Sequence, residues 1–225
     1  MRTFTQIVPA VIGGLSLSAS AFGVTNPFTE TFSSPAANWS SGSVFTALNY
    51  PVASGPDGTA YGSSAFGFAN NVNGDFPIMF RGQSNFNSSG NAFVGDWLAT
   101  GVTSFTFSVR DNAPWPVSFF ARFSNGGPGV VALQTTPVQP NTWATFTVPI
   151  DPSTPFIYEG APTLYGATFA AMARVQIGIV VDANLAGQAG PYTFDIDNVG
   201  IAPTPGAAVL LLGAMGLAAS RRRRA

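Results

Sequence analysis

The chain has 225 residues, of which 46% are hydrophobic and only 8% are charged, a composition that suits one globular domain and excludes a largely disordered protein. Histidine, lysine and cysteine are absent, which excludes disulfides, thiolate metal sites and most general bases and covalent nucleophiles. Between the two ends of the chain, four arginines face ten acidic residues, so the body lacks the basic surface that nucleic-acid binding requires.

The first 23 residues predict a secretory signal peptide. Arg2 provides a positive charge, and residues 7–22 are apolar or small throughout. Small residues at the end of this run favour cleavage after Ala21 or Gly23. We therefore expect residues 1–23 to form the helix of a signal peptide, with the mature domain following it.

Residues 24–202 alternate apolar and polar side chains in short runs separated by glycine, proline, asparagine and serine, a pattern typical of half-buried antiparallel strands. Four runs carry the pattern clearly: TSFTFSVR (103–110), VSFFARF (117–123), ATFTVPI (144–150) and RVQIGIVVD (174–182). Weaker strand candidates are FTETF (28–32), SVFTALNY (43–50), GTAYGSSAFGF (58–68), DFPIMF (75–80), GVVALQTT (129–136) and YTFDIDNVGI (192–201).

The predicted helical content of this body is small, since only GATFAAMA (166–173) suits a short helix. About ten strands without alternating helices predict an all-β domain over residues 24–202, built as a two-sheet antiparallel β-sandwich. The order of landmarks resembles jelly-roll domains of the carbohydrate-binding-module and laminin-B-like kind. These landmarks are an early ETF followed by a tryptophan, a central TSFTFSVR, a later NTWATFTVPI and a closing FDIDNVGI. The resemblance implies a jelly roll and, by itself, no particular ligand.

Carboxylates are the remaining candidates for catalysis, and glutamate occurs only as Glu30 and Glu159. A glycosidase needs two carboxyl groups roughly 5 to 9 Å apart across a cleft. Neither glutamate lies in a Glu-x-Asp-x-x-Glu pattern that would point several acids from one strand into a groove. We therefore expect no catalytic residues, and a glycoside-active enzyme ranks third among the candidate functions.

Asp195 and Asp197 are two residues apart in TFDIDNV and share one face of an extended strand. The apolar residues that follow would continue that acidic face, which predicts a bulge near Asn198. Two interpretations are open: a solvated strand face, or a site for a hard cation such as Ca²⁺, which binds carboxylate and carbonyl oxygens. In the jelly-roll family that the landmarks resemble, a structural Ca²⁺ joins the first and last strands. The resemblance here implies Glu30 and Asp197 as ligands, with Asp57 from a loop.

Tryptophan can stack on sugars as well as fill a core. A core position is expected for the three tryptophans beside predicted strands, Trp39, Trp97 and Trp143. Trp115 lies between two prolines, which disfavours strand pairing and predicts a loop or an edge. If the domain carries an aromatic platform for a ligand, the predicted residue is Trp115, with Tyr158 or Tyr165 from a proline-rich segment.

The C-terminal segment has three parts. It begins with Pro203, Thr204 and Pro205, continues with an apolar run over residues 207–219, and closes with the arginines Arg221, Arg222, Arg223 and Arg224. The run is shorter than the roughly 20 residues of a comfortable membrane span, but arginines placed directly after an apolar segment are retained in the cytoplasm. The arrangement resembles the PEP-CTERM sorting signal of exported bacterial proteins, with Thr204 where the commonest form has glutamate.

This second resemblance implies export, transient insertion into the inner membrane through the C-terminal apolar helix, and processing of the sorting tail 203–225 by an exosortase-type peptidase, which would remove the residues beyond about Pro205. The destination would be the cell surface or the extracellular matrix. A permanent tail anchor is the alternative. Family members are often associated with exopolysaccharide, so the first hypothesis is a structural or adhesive role linked to extracellular polysaccharide. The second is a carbohydrate-binding module with a specific glycan ligand.

Overall fold

The computed structural model describes residues 23–203. The signal peptide and the sorting tail predicted above therefore lie outside the described residues, apart from Gly23 and Pro203. The described chain forms β1 (Phe28–Glu30), β2 (Gly62–Phe66), β3 (Ile78–Gln83), β4 (Val102–Asp111), β5 (Ser118–Ser124), β6 (Gly129–Leu133), β7 (Ala144–Pro149), β8 (Ile157–Tyr158), α1 (Leu164–Phe169), β9 (Arg174–Val180) and β10 (Tyr192–Pro203). Within residues 23–203, no helix has the length and apolarity needed to cross a bilayer.

Two five-stranded antiparallel sheets pack against each other. In sheet A the spatial order is β1-β10-β4-β7, and β2 pairs with the part of β10 that β1 leaves free. In sheet B the order is β3-β9-β5-β6-β8. Strands distant in sequence are neighbours in both sheets, and the predicted two-sheet antiparallel β-sandwich is confirmed.

The core lies between the two sheets and is rich in phenylalanine. Alternation along the predicted strands places one face of each strand inward, as in β4, where Phe105, Phe107 and Val109 are fully buried. The facing strand β5 contributes Phe119 and Phe123 in the same way. Because aromatic rings bury large apolar areas, these inner faces supply most of the hydrophobic stabilisation of the sandwich.

β10 contains the predicted bulge. The pairing with β4 shifts between Asp197 and Gly200, and Asn198 between them has a left-handed φ of 47°. Before the bulge the core residues of β10 have even numbers, as Ile196 does, whereas after it Val199 is the buried residue. The extra residue therefore restores the apolar face of the strand to the core.

One expected strand is absent from the described residues, and one short strand was not expected. SVFTALNY does not form a strand, because the Ser40 hydroxyl accepts hydrogen bonds from the backbone N–H groups of Gly42 and Thr46 and folds the segment into a turn. Only isolated bridges such as Ser40 with Ala47 remain. In addition, the two-residue strand β8 was not expected from the sequence, since its alternation is too short to recognise.

The tryptophans do not all occupy the core positions expected of them. Trp39 and Trp97 are fully buried in the core, as predicted. The core position expected for Trp143 is wrong, because this side chain lies half-buried beside the Arg110 guanidinium, and its Nε1 donates to the Ser54 carbonyl oxygen at 2.9 Å. Trp143 precedes β7, where the alternation no longer fixes which way a side chain points.

Candidate functional site

The three acids predicted to hold a cation lie on segments that come together where β1 replaces β2 as the partner of β10. Glu30 ends β1 opposite Val199, and β2 begins with Gly62 opposite Ile196. Asp197 falls in the gap between these two partners. Asp57 reaches the same gap from the preceding loop, where its carboxylate accepts a 2.9 Å hydrogen bond from the Asn198 side chain.

Asp197 is fully buried, and one of its oxygens is poorly satisfied. Oδ1 accepts the backbone N–H of Asn198 at 2.8 Å, whereas Oδ2 has no hydrogen-bond partner among the described residues. The pKa of Asp197 is raised from 3.8 to about 6, chiefly by burial; the hydrogen bond from the Asn198 N–H lowers it, and the negative charges of Asp57 and Glu30 add smaller upward contributions. The role of the three acids as calcium ligands stays a prediction.

Backbone oxygens lie beside the unpartnered Asp197 oxygen. A Cβ atom built on Gly55 would lie 2.8 Å from the Thr59 carbonyl oxygen, 3.2 Å from that of Ala60 and 3.0 Å from Asp197 Oδ2. Carboxylate and carbonyl oxygens are the ligands that Ca²⁺ takes. Within residues 23–203, however, no three acidic, histidine or cysteine side chains are grouped as a ready metal site. The donor types fit calcium, with backbone carbonyls needed to complete the set.

The interpretation of Asp195 and Asp197 as a solvated strand face is wrong, since both are buried. Asp195 is held by its two neighbours across the sheet. Its Oδ1 accepts the Ser63 hydroxyl of β2 at 2.7 Å, and its Oδ2 forms a 2.7 Å salt bridge with Arg110 of β4. The loop at residues 51–60 covers this part of sheet A, because the Ser54 carbonyl oxygen accepts from Arg110 as well as from Trp143.

The residues predicted as an aromatic platform are not gathered into one exposed surface. Trp115 lies in the turn between β4 and β5, as expected, and is half-buried against the core. Tyr158 and Tyr165 are also half-buried against the core, and the Tyr165 ring packs 4.9 Å from the ring of Phe169. Burial of Tyr165 raises its pKa, with smaller contributions from Asp151 and Tyr158. Their role as a sugar platform stays a prediction.

A cleft with a different set of residues lies on the outer face of sheet B. It has a volume of about 260 Å³ and is lined by Phe76, Ile78, Phe120, Arg122, Val131, Ile157 and Glu159. Phe76 and Ile157 are each 49% exposed. Both line the same cleft, and contiguous exposed apolar surfaces often mark binding sites.

The floor of this cleft depends on a glycine. Phe120 of β5 is buried although its side chain lies outside the core, because it packs across the sheet over Gly178 of β9. A Cβ at Gly178 would overlap the Phe120 ring and the Pro77 carbonyl oxygen. The Phe76 ring covers Phe120 from the solvent side, with 5.5 Å between ring centroids.

A fixed polar group closes one end of the cleft. The Arg122 guanidinium donates from Nε and Nη2 to the Glu159 carboxylate, the latter at 2.6 Å, and from Nη1 to Gln176 Oε1 at 2.6 Å. Glu159 also accepts the backbone N–H of Gly129 at 2.7 Å. The hydrogen bond from Arg122 keeps the pKa of Glu159 below its usual value. The cleft thus combines an apolar floor with a rigid, charge-balanced set of donors and acceptors.

Sequence reasoning missed this cleft, although one signal for it was present. In VSFFARF the alternation assigns Phe119, Ala121 and Phe123 to the core, which leaves Phe120 and Arg122 on the other face. An aromatic residue beside an arginine on the outer face of a strand indicates a partly covered surface. The contributions of Phe76 and Glu159 could not be seen, because both residues come from loops distant in sequence from β5.

No protein-family model and no curated protein sequence matches the chain. Among solved structures, an exo-β-agarase is similar with a TM-score of 0.52 and 10% identity, over 80% of this chain and 26% of the agarase chain. A family 11 carbohydrate-binding module of a cellulosomal cellulase from Clostridium thermocellum gives a TM-score of 0.49 and 13% identity, over 81% and 97% of the two chains. The CBM22-1 xylan-binding domain from Paenibacillus barcinonensis gives 0.46 and 10%, over 80% and 95%. The chain therefore spans about a quarter of the agarase and nearly all of each module. The agarase likeness supports the β-sandwich fold.

Proposed function

We propose that the domain is a non-catalytic polysaccharide-binding module and that the cleft on sheet B is its binding site. The observation that carries the proposal is the pairing of an exposed aromatic and aliphatic floor with the Arg122–Glu159 group at its end. Sugar rings have apolar faces that pack on such floors, and their hydroxyl groups need fixed donors and acceptors. Arg122 and Glu159 neutralise each other, which suits an uncharged sugar.

The arrangement of the glutamates supports binding over hydrolysis. Glu159 lies at the cleft of sheet B and is engaged by Arg122, whereas Glu30 ends β1 in sheet A. A glycosidase needs two carboxyl groups across one cleft. We infer that the cleft holds a glycan chain without cleaving it, which favours the second sequence hypothesis over a purely structural role.

Replacing Phe76 by alanine tests the cleft. Binding is measured by affinity electrophoresis in gels containing xylan, mixed-linkage β-1,3-1,4-glucan or agarose, and against the polysaccharide of the producing cells. Loss of the exposed ring should weaken binding about fivefold or more. Phe45→Ala is the matched control, because Phe45 is 46% exposed, packs on Phe86 and does not line the cleft.

Three outcomes would contradict the proposal. Equal binding by Phe76→Ala and the wild type would move the site elsewhere, and absence of binding to every polysaccharide would return the domain to a structural role. Release of reducing sugars from any of them would make it an enzyme.

A calcium ion at the Glu30–Asp197 junction and export with processing of the tail stay predictions. If present, the ion would be held by Asp197 with Glu30 or Asp57 and neighbouring carbonyl oxygens, and it would compensate their mutual repulsion and join β1 to β10. Export by the signal peptide and removal of the tail by an exosortase-type peptidase would place the module next to extracellular polysaccharide.

A further inference from the structure

A second pocket lies on the outer face of sheet A, at the end where β4 finishes and β10 begins. Its volume is about 300 Å³, near the lower end of the range for small-molecule sites. Its lining residues are Tyr61, Arg110, Asp111, Asn112, Asn141, Thr193 and Asp195. Asp111 lies opposite the core residue Phe194, so its carboxyl group belongs to the inner face of the sheet. Arg110 and Asp195 alternate with the core residues Val109 and Phe194, so this pocket opens on the side of the sandwich opposite the cleft.

The base of the pocket is rigid and charge-balanced. Arg110 and Asp195 form their salt bridge directly across the β4–β10 pair. The Arg110 guanidinium packs against two aromatic rings that contact each other, 5.0 Å from the Tyr61 centroid and 4.8 Å from that of Trp143. Ser63 satisfies the other Asp195 oxygen. Since both charges are already paired, the pocket offers an ionic ligand little electrostatic gain.

The walls above this base carry polar groups without partners. Among the hydrogen bonds of residues 23–203, none uses the Tyr61 hydroxyl, the Thr193 hydroxyl or the Asn141 side-chain amide. Asn112 accepts the Thr193 N–H with Oδ1 at 2.7 Å, which leaves its NH₂ group as a donor. Hydroxyl and amide groups both donate and accept, as sugar hydroxyls do.

We propose that this pocket is a second sugar-binding site that takes a neutral sugar residue of a polysaccharide. The pocket suits an uncharged ligand rich in hydroxyl groups, because it has an aromatic wall, uncharged donors and acceptors, and an ion pair whose charges neutralise each other. Because the cleft and the pocket lie on opposite sheets, one molecule would bridge two polysaccharide chains. The bridging rests on the proposed function of the cleft, whereas binding at the pocket does not.

The test uses a panel of neutral oligosaccharides (xylo-, mixed-linkage gluco-, agaro-, manno- and galacto-oligosaccharides) immobilised on an array. Thr193→Val removes one free hydroxyl at nearly constant shape. Asn141→Gly removes the amide and tolerates the φ of 58° at this position. Each should weaken binding of at least one oligosaccharide about fivefold or more while leaving the melting temperature near that of the wild type.

Thr147→Val is the matched control. Thr147 is exposed on the outer face of the same sheet, in β7, and does not line the pocket. It should bind every oligosaccharide as the wild type does. Phe76→Ala alters only the cleft, so this variant should still bind the oligosaccharides whose binding requires Thr193 and Asn141.

The outcomes separate the two sites. If both pocket variants bind the whole panel like the wild type, the second site is overturned and the cleft is unaffected. If they lose binding but Phe76→Ala does not, the pocket is supported and the proposed function of the cleft fails. If the wild type binds nothing on the panel, both proposals fail. With both sites present, the wild type should aggregate a soluble polysaccharide that carries the bound sugars, and each single-site variant should not.

Discussion

Replacing Asp111 by asparagine tests a carboxyl group that sheet A carries on its inner face. Asp111 is 1% exposed and lies opposite the core residue Phe194. Its Oδ1 accepts the Ala113 N–H at 3.0 Å, but Oδ2 is buried without a partner among the described residues. Burial raises the pKa of Asp111 from 3.8 to about 7, with a smaller upward contribution from Asp195 and an opposing one from the Ala113 hydrogen bond.

The sign of the effect follows from proton linkage. Between about pH 4 and pH 7 the folded protein holds a proton on Asp111 that the unfolded chain releases, so the free energy of unfolding falls as the pH rises through this window. At about 1.4 kcal/mol per pKa unit, the raised pKa of Asp111 lowers the free energy of unfolding by about 4 kcal/mol in full. About 3 kcal/mol of this loss falls between pH 5 and pH 8. The neutral amide of Asp111→Asn does not carry this penalty.

Urea denaturation of both proteins at pH 5 and pH 8 measures the difference. We expect the free energy of unfolding of the variant to rise by about 3 kcal/mol relative to that of the wild type between pH 5 and pH 8. The stability of the variant should therefore depend less on pH. Comparing the two proteins cancels the contributions of other groups, including Asp197. If the wild type and the variant lose stability in parallel between pH 5 and pH 8, Asp111 does not titrate as its burial implies.

Three further predictions concern other parts of the molecule. Calcium at a hundredfold excess over its Kd should stabilise the protein by about 2.7 kcal/mol, and the rise in melting temperature should vanish in Asp197→Asn; a melting curve indifferent to calcium and chelator refutes the ion. Gly178→Ala should lower the stability of the protein by about 1–3 kcal/mol, because the added Cβ overlaps Phe120. Gly166→Ala in α1 is the control and should be neutral or stabilising, because a Cβ there meets no atom within 4 Å. Equal effects of the two substitutions would contradict the packing argument. Intact-mass measurement of surface protein should show loss of the signal peptide and of residues 206–225, and a mature species that keeps these residues would favour a permanent anchor.

The sequence predicted the sandwich because alternation within a strand is a local property. In β4 the apolar residues Phe105, Phe107 and Val109 alternate with polar ones, so the strand has one face that must be buried whatever its partners are. The same reasoning located the bulge at Asn198, where the alternation changes phase. It failed at SVFTALNY, whose apparent strand pattern is overridden by the hydrogen bonds of the Ser40 hydroxyl.

The sites depend on which strands become neighbours, and that is decided only by the tertiary structure. The sequence identified Asp197 and Glu30 by resemblance, but only the exchange of β1 for β2 along β10 places Asp197 in a gap where one oxygen is left without a partner. The cleft joins Phe76, Arg122 and Glu159 from three separate segments. Local alternation determines which face of a strand is buried, whereas the pairing of distant strands determines which outer-face side chains meet, because those pairings depend on the packing of the whole core.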